Sequence, residues 1–560
     1  MNKIPMKKET LFEEVGSIQE LVEHYRGFGE KIAFDYFEGS ELKAMTYGEY
    51  AENIDAFASA LKSIDKSGKR VAIIGETSPF WHISFHAALC TNGVAIPLDK
   101  ELAIGEIENF LIRSEAEVLI FSNSFEKKFL EIAERHPEIT FIPINDCESY
   151  SSSVKKMIEE GETLPSGFAE EPDILKMSIM LFTSGTTGTS KCVMLSQHNL
   201  CSAINAACGG VYFFPDDVLL SVLPVHHTYE LCCTLAGMNY GMRVAINDSL
   251  RHVLRNVNKF KPTALVLVPL FVNTMEKKIW DELRKKKLDK VMRTLMKTSN
   301  SMRKVGIDMR RGLFSAVIKS FGGNLKKIIC GGAALNQDIA NTFRSLGIEV
   351  WEGYGITECS PLVAVDVYYA PKPGTVGKPV SCCTVKIDAT DTDESGHEVG
   401  EICVKGDNVM LGYYGDEEET AKVFTEDGYF RTGDVGYLDE DGYLKITGRS
   451  KSVIVLENGK NVFPEEVEEY LEPLDIISEC VVVGRKEEGS DTVILTAIIY
   501  PDRTKFEETA TDEDILAVLK AEIDKINRKL VSYKHIRKVE LRDTEFEKTT
   551  TRKIRRNLVK

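Results

Sequence analysis

The sequence predicts an α/β protein built on parallel sheets, followed by short antiparallel strands and a smaller mixed α+β unit. Three observations carry this prediction. Short β-branched runs recur with helix-length segments between them over roughly residues 45–360. From about 375 to 448 glycine becomes frequent, helical periodicity fades and turn signals crowd together. After about 450 a shorter mixed pattern begins.

Taken in order, the runs 70–75 (RVAIIG), 118–122 (VLIFS), 179–182 (IMLF), 264–268 (ALVLV) and 327–330 (KIIC) read as strands. Their alternation with helices requires parallel sheets joined by right-handed crossovers. Between 375 and 448, the Asp427-Gly428 and Asp441-Gly442 pairs mark turns between antiparallel strands, the pattern of a small barrel. Beyond a boundary at 448–452, a helix begins near Pro464 and strands follow at 480–483 and 493–499. A helix then covers about 512–530 and a last strand 536–541. There is no internal repeat and no low-complexity segment.

At 560 residues the chain is long enough for three or four cores of roughly 150 residues each. Hydrophobic residues make up 43% and charged residues 28%, which excludes a disordered, collagen-like or coiled-coil protein. The longest apolar run, 264–272, is about half of a membrane-spanning helix. The polar N-terminus reads as carrying no signal peptide. The 13 cysteines are odd in number and include no Cys-x-x-Cys, which points to reduced thiols in a cytoplasm and away from zinc. A net charge of −17 repels nucleic acid, so no nucleic-acid partner is expected. The charge is uneven: residues 277–327 hold 16 Lys or Arg against 4 Asp or Glu.

The strongest chemical signal is 181–195 (LFTSGTTGTSKCVML). An apolar strand feeds a loop of Thr183, Ser184, Gly185, Thr186, Thr187, Gly188, Thr189, Ser190 and Lys191. The glycines let backbone N–H groups approach an anion, the hydroxyls add donors, and Lys191 adds a point charge. A helix expected from about Ser196 offers its N-terminus to the same anion. The loop is not a Walker motif, because it lacks Gly-Lys-Ser/Thr at the required spacing.

This loop resembles the phosphate-binding signature of the adenylate-forming enzymes: acyl-CoA synthetases, luciferases and peptide-synthetase adenylation domains. Four further segments resemble that family's motifs, in its order. They are 331–334 (GGAA), 353–358 (GYGITE), 429–449 (YFRTGDVGYLDEDGYLKITGR) and 549–556 (TTTRKIRR). The chain departs from the family at Ser190, usually Pro, at Cys192, usually Gly, and at Gln197, where His is usual and His198 comes one place later. The resemblance implies a large N-terminal domain, 1–448, of two doubly wound α/β subdomains plus a small β-barrel. A small mobile α+β C-terminal domain, 449–560, would follow.

Forming an acyl adenylate brings a carboxylate to the α-phosphate of ATP and expels pyrophosphate. That calls for a divalent cation, a cationic side chain and fixed donors. By resemblance, Glu358 binds Mg²⁺ with help from Thr183. Thr357 donates to the α-phosphate, and Lys191 binds phosphate. Tyr354 and Gly355 lie with Gly332 and Ala333 on the adenine side, and Asp434 and Arg449 hold the ribose. Lys553 bridges the carboxylate and the α-phosphate. Lys451 is the hinge, and Gly459 lines the tunnel through which CoA delivers its thiol. On residue type alone these positions are bland: a loop carboxylate, a turn-capping Asp, surface bases, and a hairpin turn at Asn458-Gly459.

The stretch 223–231 (LPVHHTYEL) carries His227, which resembles the family's His or aromatic residue at the mouth of the acyl pocket. Ending in Glu230, it resembles the long-chain fatty acyl-CoA synthetases, as do 451–468 and the basic insertion. A fatty acid of medium to long chain is therefore the expected substrate. An acyl carrier protein as acceptor, a luciferase-like oxygenase and a non-catalytic sensor are the alternatives. In the basic insertion Leu283, Leu288, Met292, Leu295 and Met296 recur at helical spacing. They read either as the packed side of a solvated helix or as a peripheral contact with an anionic membrane or the CoA phosphates.

Overall fold

The structure is a computed structural model and describes residues 12–183, 190–393, 395–456, 461–486, 492–548 and 554–559. Two large sheets organise the first three-quarters of the chain. The first has nine strands, in the spatial order Lys378–Pro379, Leu362–Val365, Glu349–Gly355, Lys327–Cys330, Ala264–Leu267, Val218–Ser221, Arg243–Ile246, Ile32–Glu38 and Glu41–Thr46. The second has seven: Gly412–Tyr413, Lys191–Ser196, Met177–Thr183, Val94–Leu98, Arg70–Ile74, Val118–Phe121 and Thr140–Pro143. The first is parallel at the centre and antiparallel at both margins. The second is antiparallel only on the Gly412–Tyr413 side and parallel from Met177–Thr183 to Thr140–Pro143.

The parallel strands were legible as uninterrupted apolar runs because they are buried on both faces. Val118, Leu119, Ile120 and Phe121 are fully covered. Helix Pro79–Cys90 is apolar on nearly every side and is buried on nearly every side. It lies in a core that takes in Phe34 from the first sheet and Ile73 from the second.

Residues 375–448 do form antiparallel strands, with glycines 428 and 442 at positive φ in the expected turns. The expected barrel is an open ladder, however. It runs Cys383–Thr392, Glu398–Gly406, Phe430–Leu438, Leu444–Arg449, and among the described residues its end strands do not pair. The two short strands of the same stretch, Lys378–Pro379 and Gly412–Tyr413, are used elsewhere, as margins of the two large sheets.

Residues from Ile454 onward bury a core of their own, including Val462, Val467, Leu471, Leu495, Ala497, Ile499 and Leu519. A three-stranded sheet, Ile477–Lys486, Val493–Pro501 and Ile536–Leu541, carries helices Pro464–Leu471 and Asp512–Asn527.

The basic segment begins in helix Pro269–Lys285 and continues in Asp289–Lys304. The packed reading holds for part of it. Leu283 and Met296 are buried and Met292 packs beside them, while Leu288 and Leu295 are exposed. Its last lysine is no surface charge. Lys327 is buried, 2.5 Å from the equally buried Asp217, among Phe213, Phe214 and Trp351. All 13 cysteines are free. Among the described residues no group of three or more His, Cys, Asp or Glu could hold a metal ion, and no helix is long and apolar enough to cross a membrane.

Candidate active site

The phosphate loop closes a hairpin. Thr183 ends one strand and Lys191 begins the next, and the two residues are register partners. Ser184, Gly185, Thr186, Thr187 and Gly188 lie outside the described residues, so the hairpin mouth is defined by its two ends. The helix that follows, Gln197–Gly210, does not reach the loop. Strand Lys191–Ser196 runs back along its partner until Ser196 faces Met177, at the far end of the hairpin. Ser196 and Asn199 then satisfy that helix's first backbone donors in a capping box. The expectation that this helix would serve the anion is therefore corrected by the antiparallel return of the strand.

Lys191 is held at the mouth from two sides. Its Nζ lies 2.9 Å from Glu419 Oε2 and 4.5 Å from the centre of the Tyr413 ring. Hydrogen bonds from Lys191 and Lys422 hold the Glu419 carboxyl down at about 2. Tyr413 also reaches the predicted metal carboxylate: its hydroxyl donates to Glu358 Oε1 over 3.0 Å. The turn Thr357–Cys359 packs against strand Lys191–Ser196, and the Met410 N–H donates to the Glu358 carbonyl at 2.8 Å. Thr357, Glu358 and Lys191 are thus brought to one edge of the second sheet. A half-buried carboxylate and hydroxyl, Glu358 and Thr183, at the end of a phosphate hairpin suit Mg²⁺, a hard cation that prefers oxygen.

The ribose candidates also converge. Asp434 is 4% exposed, receives the Tyr354 hydroxyl at 2.7 Å and lies 2.9 Å from Arg449 Nε. Burial pushes the Tyr354 phenol well above its ordinary range, and the Asp434 charge adds to this. Tyr354 therefore braces the carboxylate that the sequence assigns to ribose. Gly355 has no room for a side chain, since a Cβ would stand 2.1 Å from the Pro361 carbonyl oxygen. Gly332, at φ +86°, and Ala333 are exposed in the turn after strand Lys327–Cys330. The preceding Gly331 is wedged between Tyr229 and the Gly353 carbonyl, so this turn and helix Thr228–Asn239 are in contact.

His227, expected on the acyl side, stands at the N-terminal boundary of helix Thr228–Asn239 without a side-chain cap, and its ring lies 4.1 Å from that of His226. Burial lowers the pKa of both imidazoles, and the nearby Asp99 opposes this for His227. The Asp99 carboxylate is 3.6 Å from His226 Nε2. Glu230 is fully buried three residues further on, with Oε1 2.5 Å from the Ser221 hydroxyl. Burial pushes its carboxyl up to about 8, against the hydrogen bond from Ser221. Glu230 thus ties the first turn of helix Thr228–Asn239 to the end of strand Val218–Ser221.

Lys451 lies in the turn Ser450–Ser452, immediately after strand Leu444–Arg449 and before the C-terminal core begins. Gly459 and Lys553 lie outside the described residues. Sequence reasoning missed Asp99, Tyr413 and Glu419. The last two sit in 412–420, between the motifs, and only the pairing of Tyr413 with Val193 brings them to the hairpin.

Comparison with known proteins identifies the scaffold. The AMP-binding enzyme family matches residues 21–414, and the AMP-binding enzyme C-terminal domain matches residues 451–560. The chain belongs to the AMP-binding enzyme family. Among its relatives, the long-chain-fatty-acid–CoA ligase FadD15 of Mycobacterium tuberculosis is 28% identical over 578 residues, covering 96% of this chain and 94% of the relative. Long-chain-fatty-acid–CoA ligase 1 of Homo sapiens is 27% identical over 497 residues, covering 82% and 69%. The same fold is seen in ATP-bound MatB from Rhodopseudomonas palustris (TM-score 0.74, 24% identity, 97% and 98% coverage). It recurs in the adenylation domain of a carboxylate reductase from Mycobacterium chelonae (TM-score 0.80, 20% identity, 98% and 90% coverage).

Proposed function

We propose that the protein is an ATP- and CoA-dependent fatty acid ligase. It joins the carboxylate of a fatty acid to AMP with release of pyrophosphate, then transfers the acyl group to the CoA thiol with release of AMP. The observation that carries this reading is the convergence of Lys191, Thr357 and Glu358 on one sheet edge, beside a separate Tyr354–Asp434–Arg449 cluster. One group suits a triphosphate and the other a ribose diol. The long-chain fatty acid ligases among the relatives support the substrate class.

In this reading Lys191 leaves Glu419 for the phosphates, and Thr357 donates to the α-phosphate. Asp434 accepts from the ribose hydroxyls while Tyr354 and Arg449 hold its carboxylate. His227 borders the acyl chain. Mg²⁺, held by Glu358 and Thr183, would neutralise charge on the phosphate oxygens as pyrophosphate leaves. Lys553 approaches the α-phosphate when the C-terminal domain closes about Lys451. Gly459 lines the CoA path when that domain has turned. Pyrophosphate release measured across fatty acids of increasing length, with and without CoA, tests the proposal. Release with no dependence on fatty acid would reject it, and acyl transfer only to a carrier protein would replace CoA as acceptor.

A second, narrower reading concerns the peripheral contact. Leu288, Val291, Leu295, Val305, Ile307 and Met309 are all exposed within the basic segment. Apolar side chains ringed by lysines suit an anionic lipid surface. Co-sedimentation with anionic but not zwitterionic vesicles is the expected result.

A further inference from the structure

Apart from that exposed patch, the basic segment has no part in the chemistry described above, yet its first helix touches the C-terminal unit. Lys277 Nζ lies 2.9 Å from Asp502 Oδ2 and donates to the Asp475 carbonyl at 3.3 Å. Arg284 NH2 lies 2.5 Å from Asp475 Oδ2. A third pair runs the other way, Lys505 Nζ to Asp281 Oδ1 at 2.9 Å. Beside them, the Asn336 side chain donates to the Glu469 carbonyl at 2.9 Å. Lys277, Asp281 and Arg284 stand three and four residues apart, on one face of helix Pro269–Lys285. Their partners come from three separate places in the C-terminal unit: the turn after helix Pro464–Leu471, the end of strand Val493–Pro501, and the turn Arg503–Lys505.

This interface is made of charge. Its pairs are part-exposed, from 17% for Asp502 to 42% for Asp475, so they are neither buried and immovable nor fully screened. Pairs of this kind are each worth roughly a factor of one and a half to five. An apolar interface of the same reach would bind the two units permanently. A polar one of modest strength lets them separate and re-dock, and the mixed polarity of the three pairs fixes the register in which they return.

We propose that Lys277 and Arg284, with Asp281 facing Lys505, are positioning residues that latch the C-terminal unit onto helix Pro269–Lys285 in the orientation seen here. They thereby set how readily that unit leaves for its other orientation. The inference rests on the reading that the C-terminal unit serves two half-reactions. The latch acts through Lys553 and Gly459, by deciding which of them is presented, and touches no substrate itself.

The test uses the full-length protein, Lys277→Asp, Asp502→Lys and the charge-swapped double variant. Hydrogen–deuterium exchange without substrates should show faster exchange at 470–476 and 500–505 in each single variant, and recovery in the swap. The ratio of the two half-reaction rates, pyrophosphate release and thioester formation from prepared acyl adenylate, should shift about fivefold in the singles. It should return toward wild type in the swap. Unchanged exchange, equal loss of both half-reactions, or no recovery in the swap would overturn the latch. A wild-type protein inactive on every fatty acid, but with exchange behaving as described, would instead reject the ligase reading and leave the latch standing as a docking device.

Discussion

Glu230→Gln is expected to stabilise the protein, and to do so more strongly as pH rises. Glu230 is fully buried, and burial pushes its carboxyl from 4.5 up to about 8. Between those values the folded protein keeps a proton that the unfolded chain releases. Stability from this group is therefore fully present below about pH 4.5 and is lost as pH rises toward 8. Each pH unit in that window costs about 1.4 kcal/mol, so the step from pH 5 to pH 7 costs about 3 kcal/mol. Glutamine has the shape of the protonated acid. Its carbonyl can accept from the Ser221 hydroxyl as Oε1 does now. It does not titrate. Other raised carboxyls, such as Glu352 and Glu472, both at about 7, are present in both proteins and cancel in the difference. Urea unfolding can be followed by the fluorescence of Trp81, which lies in the same core. The gap between variant and wild type should widen by about 3 kcal/mol from pH 5 to pH 7 and level off above pH 8. Parallel curves across that range would mean that Glu230 is ionised when folded, and would refute the reasoning.

Glu358→Ala should slow pyrophosphate release sharply and raise the Mg²⁺ concentration needed, because the cation loses its anionic ligand; an unchanged Mg²⁺ dependence would remove Glu358 from the metal site. Lys553→Ala should cost adenylation about 10²–10³-fold and spare thioester formation from prepared acyl adenylate, whereas Gly459→Leu should do the reverse. Equal effects on both steps, measured on the same preparations, would count against two orientations. Lys327→Ala leaves the Asp217 carboxylate buried without its cation and should destabilise the large unit by about 3–5 kcal/mol. Replacing both with apolar residues of similar volume should recover most of that loss in the same unfolding assay.

The parts of the fold that could be read ahead were those whose side chains all meet one kind of environment. Ala264–Leu267 and Lys327–Cys330 were visible because apolar helices cover both faces of their sheet. The hairpin Ile32–Glu38 and Glu41–Thr46 escaped notice, although two residues, Gly39-Ser40, separate two strand-like runs and signal it. Strand Lys191–Ser196 was absorbed into the loop before it, because a two-sided pattern is short there and the next helix starts at once. Within the site, the motif residues were found by local spelling. Tyr413, Glu419 and Asp99 could not be, since each acts through a partner more than a hundred residues away and carries no spacing signal of its own.

The placement of that N-terminal hairpin matters for how the chain is made. Ile32–Glu38 is a strand of the first sheet, and its parallel neighbour is Arg243–Ile246, about two hundred residues later. At roughly 5–20 residues per second, a ribosome needs about 10–40 s to supply that neighbour. Until then, the edge that will accept it is open to any other strand. Asp35 is buried in this strand, and its carboxylate lies 2.5 Å from Arg243 in the docked neighbour. A strand without a matching base would leave that acid buried and unpaired, whereas Arg243 supplies its counter-charge. The correct strand therefore brings with it the charge that makes its own docking site complete.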